Sequence, residues 1–409
     1  MQINRERLAQ DLETLRQMGL SDKGVTRLAF SKEDIAAREW LIGQMEAAGL
    51  DVEIDPAGNI HAMLLSSASD SAPKVACGSH IDTVRCGGHL DGPLGVLAGL
   101  EALRCIKESQ VSLAHPVSVI AFSDEEGRFG GMLGSRAMAG LVELAEIHSA
   151  KDIDGVALTQ CLEDAGVNPE NLLNAKVSAD DYKAFLELHI EQGPVLEQRA
   201  IPIGVVDGIT GLFKWEITLQ GQANHAGTTP MHMRRDAFQG LARFAADIND
   251  ILAREGAENS KATIGKVSVW PGSPNVVPGA CVFSLEVRDT DQKILEHLKS
   301  VFEKALKECA AAYGLEITIA QLSDIQATPC DADIVDTLVR TAKAQNLPHI
   351  VMPSGAAHDA QYMAHITKTA MIFVPSIGGV SHNPAENTAM DDIEKGANLL
   401  LHSLYALAA

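Results

Sequence analysis

Three apolar runs in this chain end in clusters of His, Asp and Glu, and no other feature limits its fold as much. Lys74 to Cys77 leads into Gly78-Ser79-His80-Ile81-Asp82, Pro116 to Phe122 into Ser123-Asp124-Glu125-Glu126, and Ala184 to Leu188 into His189-Ile190-Glu191-Gln192-Gly193. Each run is short and bounded by turn residues, which reads as a buried strand. The Gly- and Ala-rich segment from Gly92 to Ile106 reads as a helix packed closely on a sheet. Strand, helix and strand with polar residues at the strand ends describe an open α/β sheet, and such sheets place ligands just outside the carboxyl ends of their strands.

The rest of the chain extends this α/β unit and interrupts it. Leu8, Leu12, Leu15 and Met18 share one face of an N-terminal amphipathic helix, and Ser31 caps a second helix with a buried stripe of Ala37, Trp40, Leu41 and Met45. After Asp207-Gly208 the order becomes strand (Phe213 to Leu219), helix (Arg234 to Glu255), strands (Ala262 to Val269, Cys281 to Arg288), helix (Leu295 to Tyr313) and strand (Leu315 to Leu322). That β-α-β-β-α-β order is the ferredoxin-like arrangement. The remainder, with helices at Ala332 to Gln345 and Asp391 to Leu407, returns to α/β character. A length of 409 residues with 46% hydrophobic content supports two proper cores. The expected domains are a discontinuous one over 1–209 and 324–409, and an inserted one over 210–323.

Charge and cysteines narrow the function classes. A formal charge of -21 disfavours nucleic acid or an anionic membrane as a partner, because both demand clustered Lys and Arg. No apolar run is long enough to span a bilayer, and the N-terminus does not read as a signal peptide. Seven scattered cysteines without a C-x-x-C pair argue against a disulfide framework or a thiolate zinc site, and a reducing cytoplasm fits best.

Several residues could carry chemistry. Singly, His80 with Asp82 reads as a hydrogen-bonded pair, and Glu125-Glu126 as a solvated loop edge. Recurrence changes this: His80, Asp91, Glu126, His189 and His382 all fall at strand ends or in Gly-rich turns of one domain. Five N and O donors without thiolate suit a pair of Zn²⁺, Mn²⁺ or Co²⁺ ions, one carboxylate bridging them. His225 lies in a Gly/Pro-rich loop of the insert, where an ordinary loop histidine is the plain alternative. Arg288 could simply pair with Asp289 or Glu286, and Asn275 could be turn chemistry. His358 and Asp359 follow Ser354-Gly355-Ala356-Ala357, whose backbone N–H groups could bind an anion. His89 and His365 are read as structural.

The ordered motifs GSHIDTV, LDGPLG, SDEEG, ELHIEQG, NHAGTTPM, SPNVVPG, SGAAHD and GVSHNPAE resemble the di-metal aminoacylase and carboxypeptidase (peptidase M20) superfamily. The resemblance is to its branch of N-carbamoyl-L-amino-acid hydrolases, allantoate amidohydrolases and β-ureidopropionases, and it spans nearly the whole chain. It implies an aminopeptidase-like catalytic domain, a central mixed sheet flanked by helices, with an inserted ferredoxin-like domain that dimerises. It also implies two divalent ions per subunit, Zn²⁺ or Mn²⁺ with Co²⁺ or Ni²⁺ also admissible, held by His80, Asp91, Glu126, His189 and His382 with Asp91 as the bridge. Asp82 matches the carboxylate that orients His80, and Glu125 the general base. Gln192, His225, Asn275, Arg288 and Gly355 match substrate-contacting positions, and His358 is grouped with them. Arg288 is expected to hold the substrate carboxylate, and His225 to reach the partner subunit's site. The expected substrate is a small ureido carboxylate. N-carbamoyl-L-amino acids come first, because DGPLGVLAGLE, LGSRAMAG, Ile209-Thr210-Gly211-Leu212 and Ser354-Gly355-Ala356-Ala357 look carbamoylase-like; allantoate is next, then a β-ureidopropionase substrate.

Overall fold

The computed structural model describes residues 1–66 and 72–409. The chain divides into two compact units, one of Met1–Asp207, Cys330–Met352 and His358–Ala409, the other of Gly208–Pro329 and Pro353–Ala357. These limits differ from those read from the sequence for a physical reason. The strand expected to stop at Leu322 continues as Glu316–Ile325, and Ile325 pairs with Leu212, so a boundary at 323 would cut a ladder.

The first unit is built on a mixed sheet. Four neighbouring strands, Val117–Phe122, Lys74–His80, Tyr182–Ile190 and Thr369–Val374, run parallel. Antiparallel strands flank them, Ile60–Leu64 and then Asp51–Ile54 on one side and Ile203–Ile209 on the other. The parallel strands are almost wholly buried, so they read as continuous apolar runs rather than alternating ones. One face packs against helices Arg5–Gln17, Lys32–Ala47, Pro93–Glu108, Ala332–Ala344 and Met390–Ala408 through Leu41, Leu97, Val119, Leu186 and Leu400 among others. A smaller cluster, Phe30, Ile147, Leu158, Leu162 and Leu172, gathers short helices and turns between Leu133 and Ala175. That region has weak sequence periodicity because no element in it is longer than seven residues.

Arg27 ties this framework together beneath the strand ends. Its guanidinium is fully buried and donates to the carbonyls of Ile81 (2.6 Å), Leu15 (2.8 Å) and Met18 (2.7 Å), while its N–H reaches Thr83 Oγ1 (2.9 Å). The end of the first helix is thereby fixed to the segment that follows His80.

In the second unit the strand order is Lys261–Thr263, Ala280–Asp289, Gly211–Gln220, Glu316–Ile325, all antiparallel, with Val267–Trp270 also on Ala280–Asp289. This is the ferredoxin-like order, second, third, first, fourth. Helices Ala237–Glu255 and Gln292–Ala312 cover one face through Phe244, Ile248, Leu298 and Phe302. Two local differences from the sequence reading have clear causes. The first helix begins at Ala237 rather than Arg234 because the Asp236 carboxylate caps Phe238 and Gln239. The second strand is split because its register on Ala280–Asp289 shifts by one residue between Thr263, opposite Glu286, and Val267, opposite Phe283, where the Lys266 N–H bonds Ser284 Oγ.

Replacing Arg27 by Ala removes a donor from three carbonyls, two of them on buried residues. The expected loss is about 3 kcal/mol of unfolding free energy, measured as a lower denaturant midpoint at unchanged slope. Lys, which lacks the planar fork, should recover only part of it.

Candidate metal centre and active site

The four parallel strands deliver the chemistry at their carboxyl ends. His80 is the last residue of its strand, level with Phe122 on the next, and Glu125 and Glu126 follow three and four residues beyond Phe122. His189 is the penultimate residue of Tyr182–Ile190, opposite Phe373. His382 lies in the loop that follows Thr369–Val374, and Asp91 stands just before helix Pro93–Glu108.

Asp91 is at the centre. Its Oδ1 is 3.1 Å from His189 Nε2 and 3.8 Å from His80 Nε2, and its Oδ2 is 3.3 Å from His382 Nε2. Glu126 Oε2 is 3.4 Å from His382 Nε2, and Glu125 Oε2 is 3.4 Å from His80 Nε2. Donor atoms of His80, Asp91 and His189 lie within 4.8 Å of one another, as do those of Asp91, Glu126 and His382. The two groups share Asp91. All five residues proposed as ligands are thus brought together, with Glu125 beside them.

The ring orientations suit cation binding. His80 Nδ1 faces the Asp82 carbonyl at 3.0 Å, and its buried Nε2 has no hydrogen-bond partner, while burial lowers this imidazole to about 4 and keeps that lone pair free. His189 Nδ1 faces the Ile190 carbonyl at 2.9 Å, which turns Nε2 toward Asp91. Burial works against charge on His189, but Asp91 outweighs it and raises the ring to about 9; the hydrogen bond to Asp91 raises His382 to about 9 as well. Burial, and then each other's neighbours, push Glu125 and Glu126 well above the usual carboxylate range, with Glu126 the first of the charges acting on Glu125. A buried, partnerless imidazole nitrogen and crowded carboxylates around a shared Asp91 form a donor set that fits two divalent cations.

Asp82 has a wider task than the sequence implied. Its carboxylate accepts the N–H groups of Glu126 (3.1 Å) and Glu125 (3.4 Å), and it is the Asp82 carbonyl, not the carboxylate at 3.6 Å, that meets His80 Nδ1 at hydrogen-bond distance. Gln192 donates to Asp91 Oδ2 at 2.7 Å and leaves its buried Oε1 without a partner, an acceptor available to a substrate N–H. His358 is buried, its ring edge-on to His189 with centroids 4.6 Å apart, so it backs a candidate ligand rather than facing solvent. Sequence reasoning did not single out Glu187, which accepts from Ser79 Oγ and Ala360 N–H, nor did it give a role to Asp359, which accepts from Ser135 Oγ. Glu187 was hidden inside an apolar run.

In the second unit His225 and Asn275 share a two-stranded ribbon, with His225 opposite Val276 and the Asn275 carbonyl accepting the Ala226 N–H. His225 Nδ1 accepts from Gly227 (3.0 Å) and Thr228 (3.2 Å), so the neutral ring carries its proton on Nε2, as a donor. Arg288 pairs with Glu286 (2.8 Å) and donates to the Gly355 carbonyl (2.8 Å), which joins two of the expected substrate positions directly.

Comparison with known proteins identifies the family. Residues 76–406 match the Peptidase family M20/M25/M40, and the chain belongs to that family. It is 40% identical over 404 residues to an N-carbamoyl-L-amino-acid amidohydrolase of Paenarthrobacter aurescens, covering 98% of each chain. It is 37% identical over 388 residues to an allantoate amidohydrolase of Escherichia coli K12, covering 94% of this chain and 93% of that one. Among solved structures, an amidase of the hydantoinase/carbamoylase family from Burkholderia multivorans superposes with a TM-score of 0.92 at 35% identity, covering 100% of this chain and 98% of the other. Among the described residues no helix is long and apolar enough to cross a membrane, and all seven cysteines are free.

Gly92 supplies a direct test of the site. It adopts φ +84°, and a Cβ there would lie 2.4 Å from His80 ring atoms. Gly92→Ala should therefore displace His80 and weaken Mn²⁺ binding by roughly 10–100-fold, read by calorimetry, with the far-ultraviolet circular dichroism retained.

Proposed function

We propose that this chain is a metal-dependent amidohydrolase that cleaves N-carbamoyl-L-amino acids at the bond between the ureido carbon and the amino-acid nitrogen. The observation that carries the reading is the cluster of His80, Glu126, His189 and His382 around Asp91, with Glu125 beside it, in a chain matched over 98% or more of its length by N-carbamoyl-L-amino-acid amidohydrolases. The alternative, allantoate, is favoured by relatives of nearly equal identity.

His80, Asp91, Glu126, His189 and His382 would hold two divalent ions, Zn²⁺ or Mn²⁺, which when bound lower the pKa of a shared water and polarise the scissile carbonyl. Glu125 takes the proton of the attacking water and returns it to the departing nitrogen. Asp82 holds the Glu125 and Glu126 backbone in place for this. Gln192 accepts from the ureido N–H through its unpartnered Oε1, and Arg288, with Asn275 and Gly355, receives the substrate carboxylate. His225 donates from Nε2 to the developing oxyanion. Water adds to the ureido carbon, the C–N bond breaks, and the amino acid leaves with carbamic acid, which decomposes to CO₂ and ammonia. The 208–329 unit is proposed to pair two subunits, each lending its His225 to the other's site.

Purified protein loaded with Mn²⁺ and given N-carbamoyl-L-methionine and allantoate decides the substrate. The expected result is the higher kcat/KM on the carbamoyl amino acid, and faster turnover of allantoate would replace the reading. Glu125→Gln should lower kcat by at least about 10²-fold while metal content stays near two per subunit. Mixing inactive Glu125→Gln and His225→Ala subunits should restore activity, and none after demonstrated subunit exchange would place His225 in its own chain's site.

A further inference from the structure

The Ser381-His382-Asn383-Pro384-Ala385-Glu386 motif ends in a carboxylate to which the chemistry above gives no part. Glu386 is 2% exposed. Its Oε1 accepts the backbone N–H groups of Leu90 (2.9 Å) and Asp91 (3.1 Å), and its Oε2 lies 3.0 Å from Ser381 Oγ. The same Ser381 hydroxyl is 2.6 Å from Asp91 Oδ2. Gly88 leaves the room for this: a Cβ there would stand 2.1 Å from the Glu386 carboxyl carbon. One side chain therefore joins two loops 295 residues apart in sequence, and each loop carries a candidate ligand, Asp91 on one and His382 on the other.

These two ligands have the weakest support of their own. His80 and His189 end buried strands, whereas His382 is half exposed in a loop at φ 53°, a conformation non-glycine residues avoid without outside restraint. Asp91 precedes its helix in a turn, and the Glu386 oxygen occupies its N–H and that of Leu90.

We propose that Glu386 is a positioning residue of the metal centre, which sets the distance between Asp91 and His382 by bonding the backbone of one loop from the other. The proposal rests on the reading of Asp91 and His382 as ligands. It is a claim about reach and not about charge. The Ser381 hydroxyl has one proton and can donate to only one of the two carboxylates it touches. A glutamine at 386 would accept both N–H groups through its amide oxygen and donate its NH₂ to Ser381 Oγ, leaving the Ser381 proton for Asp91. Aspartate would keep the charge but fall one methylene short of the Leu90 and Asp91 N–H groups.

The test is calorimetric titration of the full chain with Mn²⁺ for the native protein and for Glu386→Gln, Glu386→Asp and Glu386→Ala, with thermal midpoints of the metal-free proteins alongside and Asp91→Asn as the control. Asp and Ala should weaken at least one of the two Mn²⁺ ions by roughly 10–100-fold, and Gln should stay within about threefold of native. Native affinity in Glu386→Asp, or a loss in Glu386→Gln as large as in Asp, overturns the proposal. So does a fall in thermal midpoint without a change in Mn²⁺ affinity, which marks a purely structural role. Should Glu386→Ala not fold, the Gln and Asp pair decides alone. Unchanged binding in Asp91→Asn overturns the ligand reading itself, and is distinguishable because it does not depend on residue 386.

Discussion

The structure of the catalytic region depends on one constraint, the crowding of carboxylates in a place that excludes water. Asp82, Asp91, Glu125, Glu187, Asp359 and Glu386 are all buried around the ends of four strands, with Glu126 beside them. Like charges this close oppose each other's ionisation, and burial adds to that opposition. His189, His382 and the Arg27 guanidinium are nearby positive groups, whereas burial keeps His80 neutral, and Arg27 directs its bonds to carbonyls. Two divalent cations among His80, Asp91, Glu126, His189 and His382 would balance the charge where it is densest. The hydrogen bonds follow the same logic: Asp82 receives two backbone N–H groups, Glu187 a serine hydroxyl and an N–H, and Glu386 two N–H groups.

Much of this could be read in the sequence because the constraint is local in its signs. A strand buried on both faces must be apolar, so a His or Glu-Glu at its end is conspicuous, and His80, Glu125, Glu126 and His189 were visible for that reason. Asp91 and His382 needed the Gly-rich turns around them and the resemblance of the motifs. The supporting residues were less legible. Glu187 sits among Ala184, Phe185, Leu186 and Leu188, where the apolar pattern masks it, and its partners Ser79 and Ala360 are 108 and 173 residues away. The double duty of Asp82 depends on whether its carbonyl or its carboxylate faces His80, and no residue pattern encodes that. The segment from Ala139 to Asp181 reads as helical and loop-like, but the bounds of its short helices are not legible because each is too brief to show a period.

The second unit was legible for the opposite reason. Its long strands alternate cleanly, as in Gly211–Gln220 and Ala280–Asp289, because one face packs on two amphipathic helices and the other does not. What pattern alone could not settle there was Arg288. The pairing with Glu286 is made, and the same guanidinium also bonds the carbonyl of Gly355, another position expected to contact substrate, so its orientation is fixed from two sides.

A further pattern connects the site to its backbone. Asp124, Gln192 and His382 are non-glycine residues with positive φ, and each adjoins or belongs to the donor set. Such conformations cost of order 1–3 kcal/mol each and persist only where the surroundings over-determine them. Asp124 accepts the Phe129 N–H, the Gln192 N–H reaches Ser376 Oγ, and the His382 loop is tied through Ser381 and Glu386. Strands alone can end in only a few positions, spaced by the width of a sheet. Bringing Glu125, Gln192 and His382 inward to meet His80 and Asp91 requires sharp turns just past those ends; Asp124 stabilises its turn locally, whereas Ser376 on Gln192 and Glu386 on the Asp91 loop act from far along the chain. The geometry of the donor set is therefore a property of the whole first unit, and the residues that hold the turns belong to the site as much as those that face its centre.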